Sequence, residues 1–412
     1  MNAEQIQEWR NQITKRIDGK TGMQLDRRQI LRLAGGFGAA LVAGGALSSS
    51  AIGAARSRSS AYSGAFQQTG TPVTAATPAL GVRADGTQLW RVQVGAMDMR
   101  HSIDIQSMLP AVITINVGDA IWFEFQMMPG FHTVTFASGH KPPTLFVPDL
   151  DATPVSGPPK LMLNPAMIFP SGGNSYDGTG LVTSGLDILR DASTPPFVLT
   201  FTKAGTFNYQ CIPHGVVMQA KVIVQDAGTK LPYDQAAYDQ MAKDRIAELI
   251  KEGMAAAEQF GKAIATKRPD GTSLWELSAG VGGKNQDRVT RFLPDTIEIG
   301  VGDTVRWVNR SEGEPHTVTF LGGKKPPEDT LVEPQPAGPP KLFQNNLTLL
   351  RQGNDVYSGT SYHNSGFLGK DFTGTDTYEL TFDTPGMFPY YCVLHGGADG
   401  TGMAAKVTVR KM

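Results

Sequence analysis

Cysteine is almost absent from this chain of 412 residues: only Cys211 and Cys392 occur. Two thiols are too few for a disulfide framework or for a four-thiolate zinc or iron–sulfur site. Charge is also scarce. Charged residues make up 18% of the sequence, against about a quarter in an average globular protein, and 37 basic residues face 38 acidic ones. No nucleic-acid partner is expected from such a balance. Glycine and proline are abundant, at 47 and 27, which favours many short strands and turns over a helical bundle. With 40% hydrophobic residues the chain can fill more than one core.

The segment 1–55 reads as an address. Asp26-Arg27-Arg28-Gln29-Ile30-Leu31-Arg32 precedes a glycine-rich apolar run from Leu33 to Leu47, and small residues follow at Gly53 and Ala55. This order resembles a twin-arginine export signal. The run is shorter than the roughly twenty apolar residues of a membrane span, so no span is expected in the mature chain, although an uncleaved signal would tether it. Location outside the cytoplasmic membrane, periplasmic or on its outer face, is the expectation. Residues 56–84, rich in Ser, Thr, Ala and Pro, read as a flexible leader.

The remainder is one unit written twice. Asp85-Gly86-Thr87-Gln88-Leu89-Trp90 recurs as Asp270-Gly271-Thr272-Ser273-Leu274-Trp275, and Val117-Gly118-Asp119 as Val301-Gly302-Asp303. His132-Thr133-Val134-Thr135-Phe136 recurs as His316 to Phe320, and Lys141-Pro142-Pro143 as Lys325-Pro326-Pro327. Gly157-Pro158-Pro159-Lys160 recurs as Gly338-Pro339-Pro340-Lys341, and Cys211 and His214 as Cys392 and His395. The anchors bound the copies at 85–226 and 270–412. Between them, in 227–269, Ile246, Leu249, Ile250, Met254, Ala257 and Phe260 recur at helical spacing, which predicts a linking helix over 233–262 packed by one apolar stripe.

Within each copy the periodicity is that of strands. Trp90, Val92 and Val94 alternate with polar residues, as do Ile113 and Ile115 before the Gly118-Asp119 turn and the aromatic run from Trp122 to Phe125. Strands are expected at 197–201, 207–211 and 220–224, and in the second copy at 296–301, 305–308, 378–382, 389–392 and 404–409. The fold class is therefore all-β, with two antiparallel sandwiches of about 140 residues.

The chemistry sits late in each copy. Cys211, His214 and Met218 form Cys-x2-His-x3-Met, with His132 well upstream at the start of another strand. Cys392, His395 and Met403 form Cys-x2-His-x7-Met, with His316 placed upstream in the same way. A thiolate, two imidazoles and a weak thioether are the donor set of a copper site built for one-electron transfer. Soft sulfur favours Cu(I), and imidazole accommodates Cu(II).

These motifs resemble those of the cupredoxins, the blue (type 1) copper proteins of the plastocyanin and azurin kind, over essentially both copies. The likeness is carried by Val-Gly-Asp before an aromatic strand, by His-Thr-Val-Thr-Phe, and by the run from Phe388 to His395. It implies two Greek-key sandwiches, one copper on His132, Cys211, His214 and Met218, and a second on His316, Cys392, His395 and Met403. Two departures stand out: Pro/Gly-rich insertions at about 141–195 and 325–371, and the glycine-rich gap before Met403. The function implied is electron carriage between redox partners, with no catalytic residue. The electron port would be the imidazole edge of His214 or His395, collared by Ile212, Pro213, Gly215 and Val216, or by Val393, Leu394 and Gly396.

Three alternatives are weaker. A nitrite reductase or laccase would carry a catalytic copper on further histidines, and the resemblance expects one directly beside the cysteine. Here the neighbours are Gln210 and Ile212, or Tyr391 and Val393, and only His101, His140 and His363 remain. For those three a solvated or hydrogen-bonded surface role is expected. Copper binding without electron transfer, for storage, delivery or a structural role in a respiratory complex, would call for exposed methionine and cysteine clusters, whereas the fifteen methionines are scattered. A Cys211–Cys392 disulfide would require equivalent positions of two domains to meet.

Overall fold

The computed structural model describes residues 80–411 except 127–130, 145, 150–159, 188–194, 283–284, 336–340 and 370–373. The twin-arginine segment and nearly all of the leader lie outside the described residues. The leader's last residues do take part: Gly81–Val82 is a strand paired antiparallel with Gln88 and Leu89.

Strands dominate. In the N-terminal half Gln88–Asp98 runs parallel to Ala120–Phe125 and antiparallel to Ile103–Leu109. In the C-terminal half Ser273–Gly282 stands in the same relation to Thr304–Arg310 and Asp287–Leu293. Ile103–Leu109 and Asp287–Leu293 then pair with each other, Arg288 opposite Asp104, so that one twelve-stranded sheet runs through both halves. Each half adds a five-stranded sheet of its own, built on Gly205–Gln210 and Gln219–Gln225, or on Gly386–Gly396 and Gly402–Arg410. Trp90, Val92, Phe123 and Leu199 of the large sheet share one core with Ile113, Ile115, Tyr209 and Val222 of the small one. That two-layer packing follows from the alternation: Ile113 and Ile115 are fully buried while Val112, one residue out of phase, is exposed.

The duplicated motifs have a structural reason. Asp119 Oδ1 accepts the backbone N–H of Gln88 (2.8 Å), and its Oδ2 accepts the Trp90 indole N–H and the Asn116 N–H (both 3.0 Å). Asp303 repeats the pattern with Ser273 (2.7 Å), the Trp275 indole and Gly300 (both 3.0 Å). Val-Gly-Asp and Asp-Gly-Thr-x-Leu-Trp are thus two ends of one buried staple.

The helix spans Gln235–Gln259 and is capped by Asp234, whose side chain accepts the Ala237 N–H (2.9 Å). Leu249 is fully buried, and Ile246, Ile250, Ala257 and Phe260 pack beside it against Ile103, Ile105, Val281 and Val289, so the stripe covers the junction of the two halves. Met254 departs from the expected stripe and is exposed, while Gly253 and Ala256 are buried; at Gly253 a Cβ would already meet the Ile103 side chain at 3.0 Å. Near its start the helix is held by Tyr238, stacked edge-on against Trp90, whose hydroxyl accepts the Thr114 N–H (2.9 Å). Tyr238→Phe is expected to lower stability by about 1–2 kcal/mol, the cost of an unsatisfied buried N–H. Denaturant titration reads it directly.

Parts of both insertions form a sheet of their own. Phe146–Pro148 and Leu161–Leu163 pair with Thr330–Glu333 and Lys341–Gln344 as a four-stranded sheet between the halves. Ion pairs Lys160–Glu333 (2.7 Å) and Lys341–Asp149 (2.8 Å) cross it. No helix among the described residues is long and apolar enough to cross a membrane.

Candidate metal centres

His132 opens the segment leading to strand Thr135–Phe136, and its backbone N–H is fixed by the Asp187 carboxylate (2.9 Å). Cys211 follows strand Gly205–Gln210, and the chain turns at once, Gly215 N–H donating to Cys211 C=O (2.9 Å), which brings His214 back over the sulfur. In the C-terminal half the strand Gly386–Gly396 runs on through Cys392 and His395. Both halves therefore gather two imidazoles and a thiol from elements distant in sequence.

The donor atoms form triangles. In the N-terminal half His132 Nδ1 lies 3.1 Å from His214 Nδ1, and Cys211 Sγ lies 3.2 Å from His214 Nδ1 and 3.9 Å from His132 Nδ1. In the C-terminal half the corresponding edges are 3.2, 3.5 and 3.9 Å. A triangle of such edges has its centre about 2 Å from every corner, the length of metal–imidazole and metal–thiolate bonds. Each sulfur accepts a backbone N–H, from Thr133 (3.4 Å) or Thr317 (3.3 Å). The hydroxyls of these threonines accept the N–H of the residue after the cysteine, Ile212 (2.8 Å) or Val393 (2.9 Å). The cysteines are free thiols, each beside its own histidines.

Met218 and Met403 are buried in the same apolar clusters as Cys211 and Cys392 respectively. Met218 C=O accepts the Cys211 N–H (3.0 Å). The longer gap before Met403 closes as a hairpin: Gly396 stands opposite Gly402, and Gly397 N–H donates to Thr401 C=O (2.9 Å). Gly402 has φ +61°, and a Cβ there would meet His395 C=O at 2.3 Å, so the glycines let the loop turn back sharply.

Burial sets the protonation of the donors in the metal-free protein. It lowers His132 to about 3. It also takes His214 and His316 well below the ordinary histidine value, helped by the neighbouring imidazole in each case, His132 or His395. Burial pushes the Cys211 thiol far up. Three neutral imidazoles are thus ready to ligate, while the Cys211 thiol would have to release its proton to solvent for a metal to bind. His395 differs: burial opposes its charge, but the Cys392 sulfur and Glu314 outweigh that and raise it to about 10.

The spare histidines do not join the centres. His101 Nδ1 lies 2.5 Å from the Asp98 carboxylate, and His140 is exposed. His363 is not a surface residue as expected but buried, near Ser361 and Asn354 (both 3.3 Å). None of the three belongs to a metal-capable cluster among the described residues.

The imidazole edges of His214 and His395 do not open outward. They face one another across the junction, their side chains 5% and 18% exposed. Ile212 is buried in a cluster that joins Met167 and Leu186 of its own half to the core of the C-terminal half, and the expected docking collar is largely enclosed, with Val216 alone well exposed. Between the edges stands Glu314: Oε1 is 3.0 Å from His395 Nε2 and Oε2 is 3.9 Å from His214 Nε2. Gln106 donates to the same carboxylate (2.7 Å) and to Asp104 (3.1 Å). Asp104 is raised to about 7 by burial and by the Glu314 charge. Sequence reasoning missed this group. The signal was an asymmetry between the copies, Glu314-Pro315-His316 standing where the first has Gly130-Phe131-His132.

Residues 279–410 match the family of copper binding proteins, plastocyanin/azurin family. A chloroplastic plastocyanin of Tetradesmus obliquus is 31% identical over 119 residues, which are 29% of this chain and 58% of that protein. Among solved structures, a methionine-to-alanine mutant of amicyanin in its Cu(I) form is 20% identical, covering 36% of this chain and 93% of its own, with a TM-score of 0.19. The oxidized plastocyanin of Dryopteris crassirhizoma is 18% identical, covering 33% and 99%, with a TM-score of 0.20. The match to a copper-binding family thus falls on the C-terminal half, where His316, Cys392 and His395 converge.

Proposed function

We propose that the protein is an exported blue copper protein that carries electrons singly between redox partners through two type 1 centres, one in each of two cupredoxin sandwiches. His132, Cys211, His214 and Met218 would hold one copper, and His316, Cys392, His395 and Met403 the second. The observation that carries this reading is the His–Cys–His triangle, present twice with nearly the same edges. Copper in such a site supplies a reversible one-electron change with little rearrangement.

The protein's own part is to hold the donors still. Thr133 and Thr317 brace each sulfur with a backbone N–H, and the buried surroundings keep water off the thiolate. No residue is assigned a catalytic role. The partners are unidentified one-electron redox proteins. With His214 enclosed, their approach would be to surfaces other than the two histidine edges.

The test is copper per chain on copper-loaded protein, with the visible spectrum before and after ascorbate. Two coppers and an intense blue band that bleaches reversibly are expected. Cys211→Ser and Cys392→Ser should each remove one copper and its share of the colour, with the fold retained by circular dichroism. Full colour in either variant would overturn that site's assignment.

A further inference from the structure

Glu314 belongs to the C-terminal half, two residues before His316, yet its carboxylate lies between ligand imidazoles of both halves. The arrangement is built and not a loose surface contact. Glu314 is about nine-tenths buried, its backbone C=O accepts the Asn309 side-chain N–H (2.7 Å), and Oε2 is held by Gln106 of the opposite half. In both halves Nδ1 points at the sulfur, so Nε2 is the ring position left to carry a proton. At His395 that N–H reaches Glu314 Oε1 at 3.0 Å, a charge-assisted hydrogen bond. At His214 the separation is 3.9 Å, too long for a hydrogen bond but within ion-pair range in a partly dry site.

We propose that Glu314 is a positioning residue shared by the two centres: one carboxylate orients His395 and acts through its charge on His214, so the C-terminal half sets metal affinity and redox potential in the N-terminal half. This rests on the copper-centre reading. The physical argument is that a carboxylate accepting from a ligand imidazole fixes the ring and makes it a better donor. Its negative charge also favours the more highly charged, oxidised state of any metal nearby. Both effects act at His395, and only the charge acts at His214. The larger consequence therefore falls on the C-terminal centre and a smaller one of the same sign on its neighbour. Arg288, also buried at the junction and bonded to the backbone of Asn285, Asp287 and Glu312, moderates that charge without being bonded to the carboxylate.

The test uses Glu314→Gln, which keeps shape and loses charge. It is made in the full chain and in the Cys211→Ser and Cys392→Ser backgrounds, so that each centre is read alone. Zinc and copper affinities are measured by competition with a chromophoric chelator, and potentials by spectroelectrochemistry. Expected are a loss of affinity of about 10–100-fold at the C-terminal centre, a smaller but measurable loss at the N-terminal one, and an upward shift of both potentials. Glu333→Gln, which removes an equal charge from the sheet of insertions, should move neither.

A shift confined to the C-terminal centre, or shifts matched by Glu333→Gln, would overturn the proposal while leaving the copper reading intact. So would a third metal equivalent lost in both Glu314→Gln and Asp104→Asn, since the carboxylates would then be ligands. Failure of the unsubstituted protein to bind copper would instead remove the reading on which the proposal stands.

Discussion

Replacing Gly280 by alanine is expected to cost about 3–5 kcal/mol and to abolish tight copper binding in the C-terminal half while sparing the other. Gly280 sits at φ +79° where the register of strand Ser273–Gly282 shifts between Ala279 and Val281. The bulge presses the backbone against the ligand ring, and a Cβ there would lie 2.1 Å from His316 Nε2. A left-handed non-glycine residue costs on the order of 1–3 kcal/mol, and forced overpacking a similar amount. The imidazole has nowhere to retreat, because it is fully buried with its Nε2 near the Ser311 hydroxyl (3.3 Å). Gly95 repeats the design at φ +71°, its Cβ site 2.3 Å from His132 Nε2. Gly95→Ala should therefore remove the other copper. Copper stoichiometry together with thermal unfolding of the two variants checks the pair, and retention of both coppers by either would refute the account.

The second large effect is expected at the buried staple. Asp303→Ala would leave the N–H groups of Ser273, Gly300 and the Trp275 indole without their acceptor, at a cost of about 3–5 kcal/mol. Asp303→Asn keeps one acceptor oxygen and should recover part of it. Asp119→Ala should behave alike through Gln88, Asn116 and Trp90. Chemical denaturation distinguishes the staple from a mere turn residue: if both alanine variants unfold within about 1 kcal/mol of the parent, the aspartates are not holding the strands.

Much of this was legible in the sequence because duplication and alternation are local signals. The alternation marks Phe197–Phe201 to the residue, and Trp90, Val92 and Val94 fall in the core as their spacing requires. The two strands that join the halves were not read. Ile103–Leu109 and Asp287–Leu293 carry Asp104, Gln106, Asp287 and Arg288 at positions where a buried strand ordinarily shows aliphatics, so the apolar rhythm is broken. The residues that hid the strands are those that build the polar junction beside His214 and His395. The candidate donors were legible for a different reason: their types and spacing recur together. Glu314 was not, because its meaning lies in a contact between halves, with Gln106 far away along the chain. The insertions were legible as extra length but not as a sheet, since Met162 and Phe343, which face each other across it, belong to different copies.

The seam between Ile103–Leu109 and Asp287–Leu293 has a consequence for assembly. A sheet edge is a template for whatever strand comes next, and two halves with the same strand order offer templates to each other's kind. Carried on one polypeptide, the partner edge is present at high effective concentration, so each molecule satisfies itself before it meets another. Separated, the halves would compete for any equivalent edge in solution. The long helix packs across that seam, so strand exchange with another molecule would also have to break the contacts of Leu249 with Ile103, Ile105, Val281 and Val289.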